Sequence, residues 1–318
     1  MRLARKVLVL LNNLKINKMM TTKLITSKDP KGLHAVSLFE SAYNKLGLTD
    51  EQAQMLNEKG GEFKEKIQKI IRELTVKNQY ANEVINSNYT YPKEYKGPKL
   101  IIEQVKTIAE LFGLDPKEAL EFIKTLPAIP DGTEGWLAVP KVSAVAKKHF
   151  PAITDPAMQY CEAVKMVHAK LAKSRRFTNY RDGEIVPNKL RQSARTLDFL
   201  EQFIEAKQPG DIIIIAVQYG MRHRGESVRR AREIFSFNEF GLGAFAIGCM
   251  ALVHPERYVR WEELDTDCAG DEFSPGGDGV FSKAPVFCFD DGELRFFTHD
   301  VSVASVGYGS ASGFVPQG

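Results

Sequence analysis

The stretch that decides the fold class is Asp-Ile-Ile-Ile-Ile-Ala-Val at residues 211–217. Consecutive β-branched, apolar side chains favour a strand that is buried on both faces. The preceding Pro209-Gly210 pair marks a change from helical patterns to mixed ones. The sequence therefore predicts an α+β fold with mixed α/β character, in which a helical N-terminal half precedes a smaller mixed-sheet unit.

A C-terminal β-hairpin is predicted downstream of this strand. Residues 281–289 and 293–298 flank Asp290-Asp291-Gly292, a sequence that favours a tight turn with positive φ. We expect residues 127–140 to be irregular, because they contain several prolines and glycines. The small-residue tail, residues 307–314, is expected to be flexible and either to close over a ligand or to fray.

Capping residues predict where helices begin in the rest of the chain. Thr49 stands before Asp-Glu-Gln as an N-cap, and Asp155-Pro156 opens a long helix that ends near Ser174. Residues 34–98 are predicted to be a helical region followed by a connector rich in Pro and Tyr. Residues 99–318 are predicted to form the mixed α/β domain.

Composition and the N-terminal segment exclude several classes of protein. With 43% hydrophobic and 26% charged residues, the chain is neither disordered nor collagen-like. The first 33 residues hold eight Lys and Arg against one acid, which predicts a basic, dispensable tail at residues 1–33. Its apolar run is too short for a signal peptide, and no later segment approaches a membrane span. Four widely spaced cysteines favour reduced thiols, so we expect a cytoplasmic protein without a membrane partner.

Charge is distributed unevenly along the chain. Residues 165–233 hold 15 Lys and Arg against 8 Asp and Glu, whereas residues 255–300 hold 4 against 12. One explanation is that the two blocks face each other in the fold and neutralise locally. The other is that the basic block binds phosphates while the acidic block holds a divalent cation.

The basic block contains the most specific motif, Gly-Met-Arg-His-Arg-Gly-Glu-Ser-Val-Arg-Arg-Ala-Arg at residues 220–232. It follows the buried strand and leads into a helix, whose first amides and dipole favour an anion. The spacing resembles a Walker A loop, but Glu226 stands where the phosphate-binding Lys would be, which argues against nucleotide hydrolysis. The candidate anion-binding residues are Arg222, Arg224, Gly225, Ser227, Arg229 and Arg230.

Two kinds of anionic partner fit this motif. A phosphorylated ligand would use the strand–loop–helix turn alone. Single-stranded nucleic acid would also use the preceding basic segment, where Phe177 and Tyr180 lie among the cations, because bases stack on aromatic faces while cations contact the backbone.

The acidic block suggests a metal site. Residues 265–272 contain Asp265, Asp267, Asp271 and Glu272, and clustered carboxylates suit a hard cation such as Mg²⁺. Such an ion beside a phosphate site would permit phosphoester hydrolysis or transfer. His254 is the candidate catalytic base.

Three functional hypotheses follow. The favoured one is a phosphate- or nucleic-acid-binding protein without chemistry of its own. The second is a divalent-metal-dependent phosphoester hydrolase or transferase that uses residues 265–272. The third is a structural or assembly protein, in which opposite charge blocks hold a homo-oligomer together.

Overall fold

The apolar stretch at residues 211–217 lies in a strand, Ile212–Gln218, that is buried at every position. The computed structural model describes residues 26–75, 78–261 and 263–316. Most of the predicted basic tail, residues 1–25, lies outside the described residues. The chain divides into two compact units, residues 1–71 and 72–318. Helices and sheets occur as predicted, so the α+β prediction is confirmed.

The N-terminal unit is helical in its described part. Thr49 caps its second helix: its hydroxyl accepts a hydrogen bond from Gln52 N at 3.3 Å, and the Gln52 side chain accepts one from Thr49 N at 3.0 Å. This reciprocal pair confirms the predicted helix start. The helices are α1 (Pro30–Leu46), α2 (Asp50–Glu58) and α3 (Gly60–Thr75), whose last residues pass the unit boundary.

The helices of the larger unit begin where the sequence provides caps. Asp155 accepts a hydrogen bond from Met158 N at 2.8 Å, so the long helix begins and ends as predicted. These helices are α4 (Ile101–Phe112), α5 (Lys117–Ile123), α6 (Val142–His149), α7 (Pro156–Ser174), α8 (Ala194–Phe199), α9 (Val228–Ile234) and α10 (Ala244–Val253). None of the helices in the described residues combines the length and apolar character that a membrane span requires.

Eleven strands form two sheets in the described part of this unit. They are β1 (Gly135–Pro140), β2 (Phe177–Asn179), β3 (Leu190–Gln192), β4 (Ile212–Gln218), β5 (Glu239–Gly241), β6 (Asp265–Asp267), β7 (Asp271–Phe273), β8 (Lys283–Asp290), β9 (Glu293–Asp300), β10 (Tyr308–Ser310) and β11 (Ser312–Phe314). The first sheet is antiparallel, with the order β1-β4-β11-β5. The expectation of an irregular segment at 127–140 was wrong for its last six residues, because β1 pairs with β4 over its whole length.

The second sheet is built around the predicted hairpin, β8 and β9. These strands are antiparallel, and Asp291 and Gly292 adopt positive φ values of 51° and 74° at the turn. The hairpin prediction is therefore confirmed. Strand β8 also pairs with β6 and β7, β10 adds to β6 in parallel, and β2 adds to β9.

The C-terminal tail joins the two sheets. Strand β10 belongs to the second sheet, and β11 lies between β4 and β5 in the first. Ala311 and Phe314 are buried there. Gly313 permits this packing, since a Cβ atom on it would lie 2.7 Å from the Phe240 ring. The expectation of a flexible tail was wrong, because tertiary pairing outweighs the weak strand propensity of Gly and Ser.

The core of the larger unit lies between the sheets and the helices α4, α7 and α10. Gly248 lets α10 approach α7 closely, because a Cβ atom on it would lie 2.4 Å from Val167 Cγ1. All four cysteines are buried free thiols. Burial raises the pKa of the Cys161 thiol to about 12, so this thiol is not poised to react at neutral pH.

Candidate functional site

The arginines of the basic motif have partners within the chain. Arg229 Nε lies 2.9 and 2.8 Å from the two carboxylate oxygens of Glu83. Arg230 Nη1 lies 2.8 Å from Glu233 Oε2 and 3.0 Å from Asn78 Oδ1. The carboxylates neutralise both charges, and they hold the segment near residues 78–83 against the start of α9.

The remaining candidate anion-binding residues are also engaged. Arg224 donates to the Tyr89 carbonyl at 3.0 Å, and Arg222 Nε lies 3.3 Å from Glu239 Oε1. Gly225 has a positive φ of 74°, and a Cβ atom there would lie 2.2 Å from the Ile85 carbonyl oxygen. The close approach that glycine permits is therefore made by the chain's own backbone.

Ser227 is the N-cap of α9. Its hydroxyl accepts a hydrogen bond from Arg230 N at 3.1 Å and donates one to Glu83 Oε2 at 2.6 Å. The structure thus places all six candidate residues in one continuous segment, residues 222–230, and each of them has a contact within the chain. The anion site stays a prediction, which the geometry does not favour.

The two charge blocks meet within one chain. Arg191 of β3 lies 2.8 Å from Glu272 of the neighbouring strand β7. Arg232 donates to the carbonyl oxygens of Ala269 and Asp271 at 2.9 and 2.6 Å. The ion pair between Arg191 and Glu272 agrees with local neutralisation, the first of the two explanations for the charge layout.

The four candidate metal ligands have different surroundings in the structure. Asp267 is fully buried and accepts a hydrogen bond from His299 Nε2 at 2.8 Å. Asp271 is fully buried and accepts one from the Tyr160 hydroxyl at 2.7 Å. Glu272 pairs with Arg191, and Asp265 lies apart in the wall of a groove. Within the described ranges, no three His, Cys, Asp or Glu side chains are arranged to hold a metal ion.

His254, the candidate base, is fully buried. Its ring lies 5.8 Å from the Tyr95 ring and 6.5 Å from the Tyr219 ring, centroid to centroid. Burial lowers its pKa, so the ring is neutral, and its Nδ1 lies 3.3 Å from Glu256 Oε1. These contacts describe a core histidine.

A groove of about 740 Å³ crosses the second sheet, on the face opposite to the core. Four adjacent strands contribute to its floor, in the order β10, β6, β8 and β9. Tyr308 and Asp265 are partners in one ladder, and Cys288 and Arg295 are partners in another. The residues that line the groove, which we call the acidic-aromatic groove, are Tyr89, Tyr180, Arg181, Trp261, Glu263, Asp265, Cys288, Phe289, Asp290, Arg295, Phe297 and Ser305–Tyr308.

Exposed aromatic rings stand at the edge of this groove. Trp261 is 66% exposed and Tyr180 is 55% exposed. Large apolar side chains at such exposure offer flat faces to a ligand and contribute little to the core. Tyr89, Phe297 and Tyr308 add further rings to the walls.

Two carboxyl groups of the groove lie near arginines without forming a salt bridge. Neither Glu263 nor Asp265 forms a salt bridge with any described residue, and Glu263 Oε2 is buried without a hydrogen bond. Burial raises the pKa of Glu263 and raises that of Asp265 strongly, although the positive charge of the nearby Arg257 acts in the opposite direction on both. Both groups therefore hold a proton more tightly than an exposed carboxyl does.

The arginines of the groove form ion pairs, although Arg181 Nε is buried without a hydrogen bond. Arg295 contacts Asp290, lies 2.5 Å from Asp291 and lies 3.0 Å from Glu293. Arg181 lies 3.6 Å from Glu184. The groove therefore offers a ligand two carboxyl groups without a salt bridge, together with aromatic faces that attract cations.

No protein-family model, no curated protein and no solved structure matches this chain.

Sequence reasoning found Asp265 but assigned it to a metal, and it did not single out Trp261 or Glu263. The sequence contains one indication of this pair. In an extended chain, side chains two residues apart lie on the same face, so Glu263 and Asp265 are expected on one face. Which face is open to solvent depends on how the strands pair, and that pairing was not predictable for β6 and β10.

Proposed function

We propose that the protein binds a cationic ligand, one that carries an ammonium or guanidinium group, in the acidic-aromatic groove. The observation that carries this proposal is a pair of carboxyl groups without a salt bridge, Glu263 and Asp265, beside the exposed ring of Trp261. A cation in the groove would favour the ionised form of these carboxyls and pack against the aromatic faces. The volume is within the range of small-molecule sites.

The charge pattern favours a cation over the anion predicted from the sequence. The arginines of residues 222–230 and those of the groove have carboxylate or carbonyl partners. A phosphate would have to displace those partners, whereas a cation would meet two carboxyl groups that form no salt bridge with a described residue. The binding, phosphoester and assembly hypotheses from the sequence stay predictions, without a geometric site among the described residues.

Tryptophan fluorescence tests the proposal directly. The chain has two tryptophans, Trp136 and Trp261. In the Trp136→Phe variant, Trp261 is the only reporter. We expect Nα-acetylargininamide, which carries one guanidinium, to change its emission in a saturable way. The uncharged isostere Nα-acetylcitrullinamide should change it far less.

A second variant tests whether the fluorescence change depends on the two carboxyl groups. Adding Glu263→Gln and Asp265→Asn should abolish saturation, whereas Asp198→Asn, which alters an exposed carboxylate on α8, should leave it unchanged. Equal responses to the charged and uncharged probes would refute the proposal.

A further inference from the structure

Strand β2 lies at an edge of the second sheet. In the described part of the chain, its one strand partner is β9, which runs parallel to it. At the ends of the strand, the Arg176 carbonyl accepts a hydrogen bond from Leu294 N at 3.0 Å, and Tyr180 N donates to the Phe296 carbonyl at 2.9 Å. Since the backbone groups along a strand alternate in direction, those of the even-numbered residues face β9.

The odd-numbered residues of β2 present their backbone groups at the open side of the strand. The Asn179 carbonyl accepts a hydrogen bond from Asp182 N at 3.3 Å. The N–H and C=O groups of Phe177 and the N–H group of Asn179 have no hydrogen-bond partner among the residues that the structure describes. An open strand edge of this kind is a template for the main chain of another peptide.

A cavity of about 630 Å³ lies beside this edge, and all three residues of β2 line it. Side chains along a strand alternate between the two faces of the sheet, so a cavity that contacts all three reaches the strand at its edge. One face of α7 also lines the cavity, with Lys165, His168, Ala169 and Ala172 at helical spacing. Ala169 and Ala172 are exposed, and their short side chains leave space beside β2.

The deepest part of the cavity is uncharged. Its two buried residues are His168 and Ile185. Burial lowers the pKa of His168 to about 3, so the ring is neutral, and neither ring nitrogen has a partner within the described ranges. Of the charged residues in the lining, Lys165 lies 2.6 Å from Glu162, and Asp182 is exposed. The cavity therefore suits uncharged side chains, because a buried charge would have no counterion there.

We propose that an extended, uncharged peptide segment of a protein partner pairs with the open edge of β2. In antiparallel pairing, one residue of the segment exchanges two hydrogen bonds with Phe177, and another accepts one from Asn179 N. The segment then lies about 4.8 Å from β2, with alternate side chains directed to the face that α7 covers. Main-chain hydrogen bonds provide affinity, and the cavity selects apolar side chains. This cavity shares no lining residue with the acidic-aromatic groove, so the inference is independent of the proposed function.

NMR of the ¹⁵N-labelled full chain tests this pairing, with acetyl-Thr-Val-Leu-Val-Thr-amide as the probe. We expect the amide protons of Phe177 and Asn179 to shift downfield in a saturable way, because each gains an acceptor. The amide of Thr178, which faces β9, should shift far less. Methylation of the peptide on the nitrogens of its valines and leucine should weaken binding by about tenfold or more, because it removes main-chain donors.

Two variants of α7 test the role of the cavity. Ala172→Leu fills part of it and should weaken binding of the peptide severalfold. Lys173→Leu introduces the same side chain at the next position, outside the lining, and should leave binding unchanged.

Three results would overturn the inference. The first is the absence of saturable shifts at Phe177 and Asn179, and the second is equal binding of the methylated peptide. The third is binding that Ala172→Leu leaves intact, because the peptide would then lie elsewhere. The Trp261 titration with a cation tests the proposed function separately, so failure of one proposal is distinguishable from failure of the other.

Discussion

Asp265 and Tyr308 are Cα partners in the parallel ladder between β6 and β10, which places a buried carboxyl beside a phenol in the wall of the acidic-aromatic groove. The carboxyl accepts a hydrogen bond from the Phe289 amide and lies near the positive charge of Arg257, but it forms no salt bridge with a described residue. This arrangement depends on the C-terminal tail, because without β10 the groove would lose one of the four strands of its floor.

The C-terminal strands should be essential for stability. Phe314 is 1% exposed in the middle of the first sheet. We expect Phe314→Ala to lower the free energy of unfolding by about 3–5 kcal/mol, because it removes a buried aromatic ring. Val306→Ala, at an exposed position just before the tail, is the matched control and should cost far less. Chemical denaturation measures both, and equal small losses would mean that the tail is frayed.

Replacing arginines of the basic motif should lower the stability of the protein and have little effect on its binding to polyanions. We expect Arg229→Ala with Arg230→Ala to lower the free energy of unfolding by about 1 kcal/mol, since these partly exposed pairs are screened by solvent. Arg176→Ala, which removes an exposed arginine of the same charge block, should have a smaller effect.

A titration with a fluorescent single-stranded oligonucleotide separates the two roles of this motif. Affinity that is the same in the wild-type protein and the double variant agrees with internal neutralisation. A double variant of full stability that no longer binds the oligonucleotide would restore the anion site predicted from the sequence.

Asp271 should make stability depend on pH. Burial raises its pKa from 3.8 to about 7, even though the Ala244 amide and the Tyr160 hydroxyl donate to it. Between these two pKa values the folded state binds the proton and the unfolded state does not, so the free energy of unfolding falls as pH rises from about 4 to about 7.

The Asp271→Asn variant isolates this effect, because the amide does not titrate. The difference in stability between wild type and variant should change by at most about 1.4 kcal/mol per pH unit across that range and be flat above it. Thermal or urea unfolding at several pH values measures the difference, and a difference that is independent of pH would show that Asp271 is ionised throughout.

Local signals in the sequence predicted those elements whose geometry is set by a few neighbouring residues. The caps at Thr49 and Asp155 and the Asp291-Gly292 turn fall in this class, because a side chain or a positive φ determines each of them. Strand β1 and the tail strands were not predictable, since partners far away in sequence form them.

The same distinction applies to the site. The anion motif was read from residues that are adjacent in sequence, without knowledge that Glu83 reaches Arg229 from more than 140 positions away. The acidic-aromatic groove combines four strands with the loops that carry Tyr89, Tyr180 and Trp261. Its composition follows from strand order, which no local pattern encodes.

The most direct test of the central claim follows the Asp265 carboxyl itself. Protein labelled with ¹³C at the aspartate carboxyl carbons can be titrated with acid and base by NMR, with Asp265→Asn assigning the signal. The account predicts that this carboxyl titrates above the ordinary range for aspartate, because burial raises its pKa, and that saturating Nα-acetylargininamide moves the midpoint down by one pH unit or more, about 1.4 kcal/mol of interaction with the charged form. A midpoint that this cation leaves unchanged would contradict the assignment of the groove as a cation-binding site.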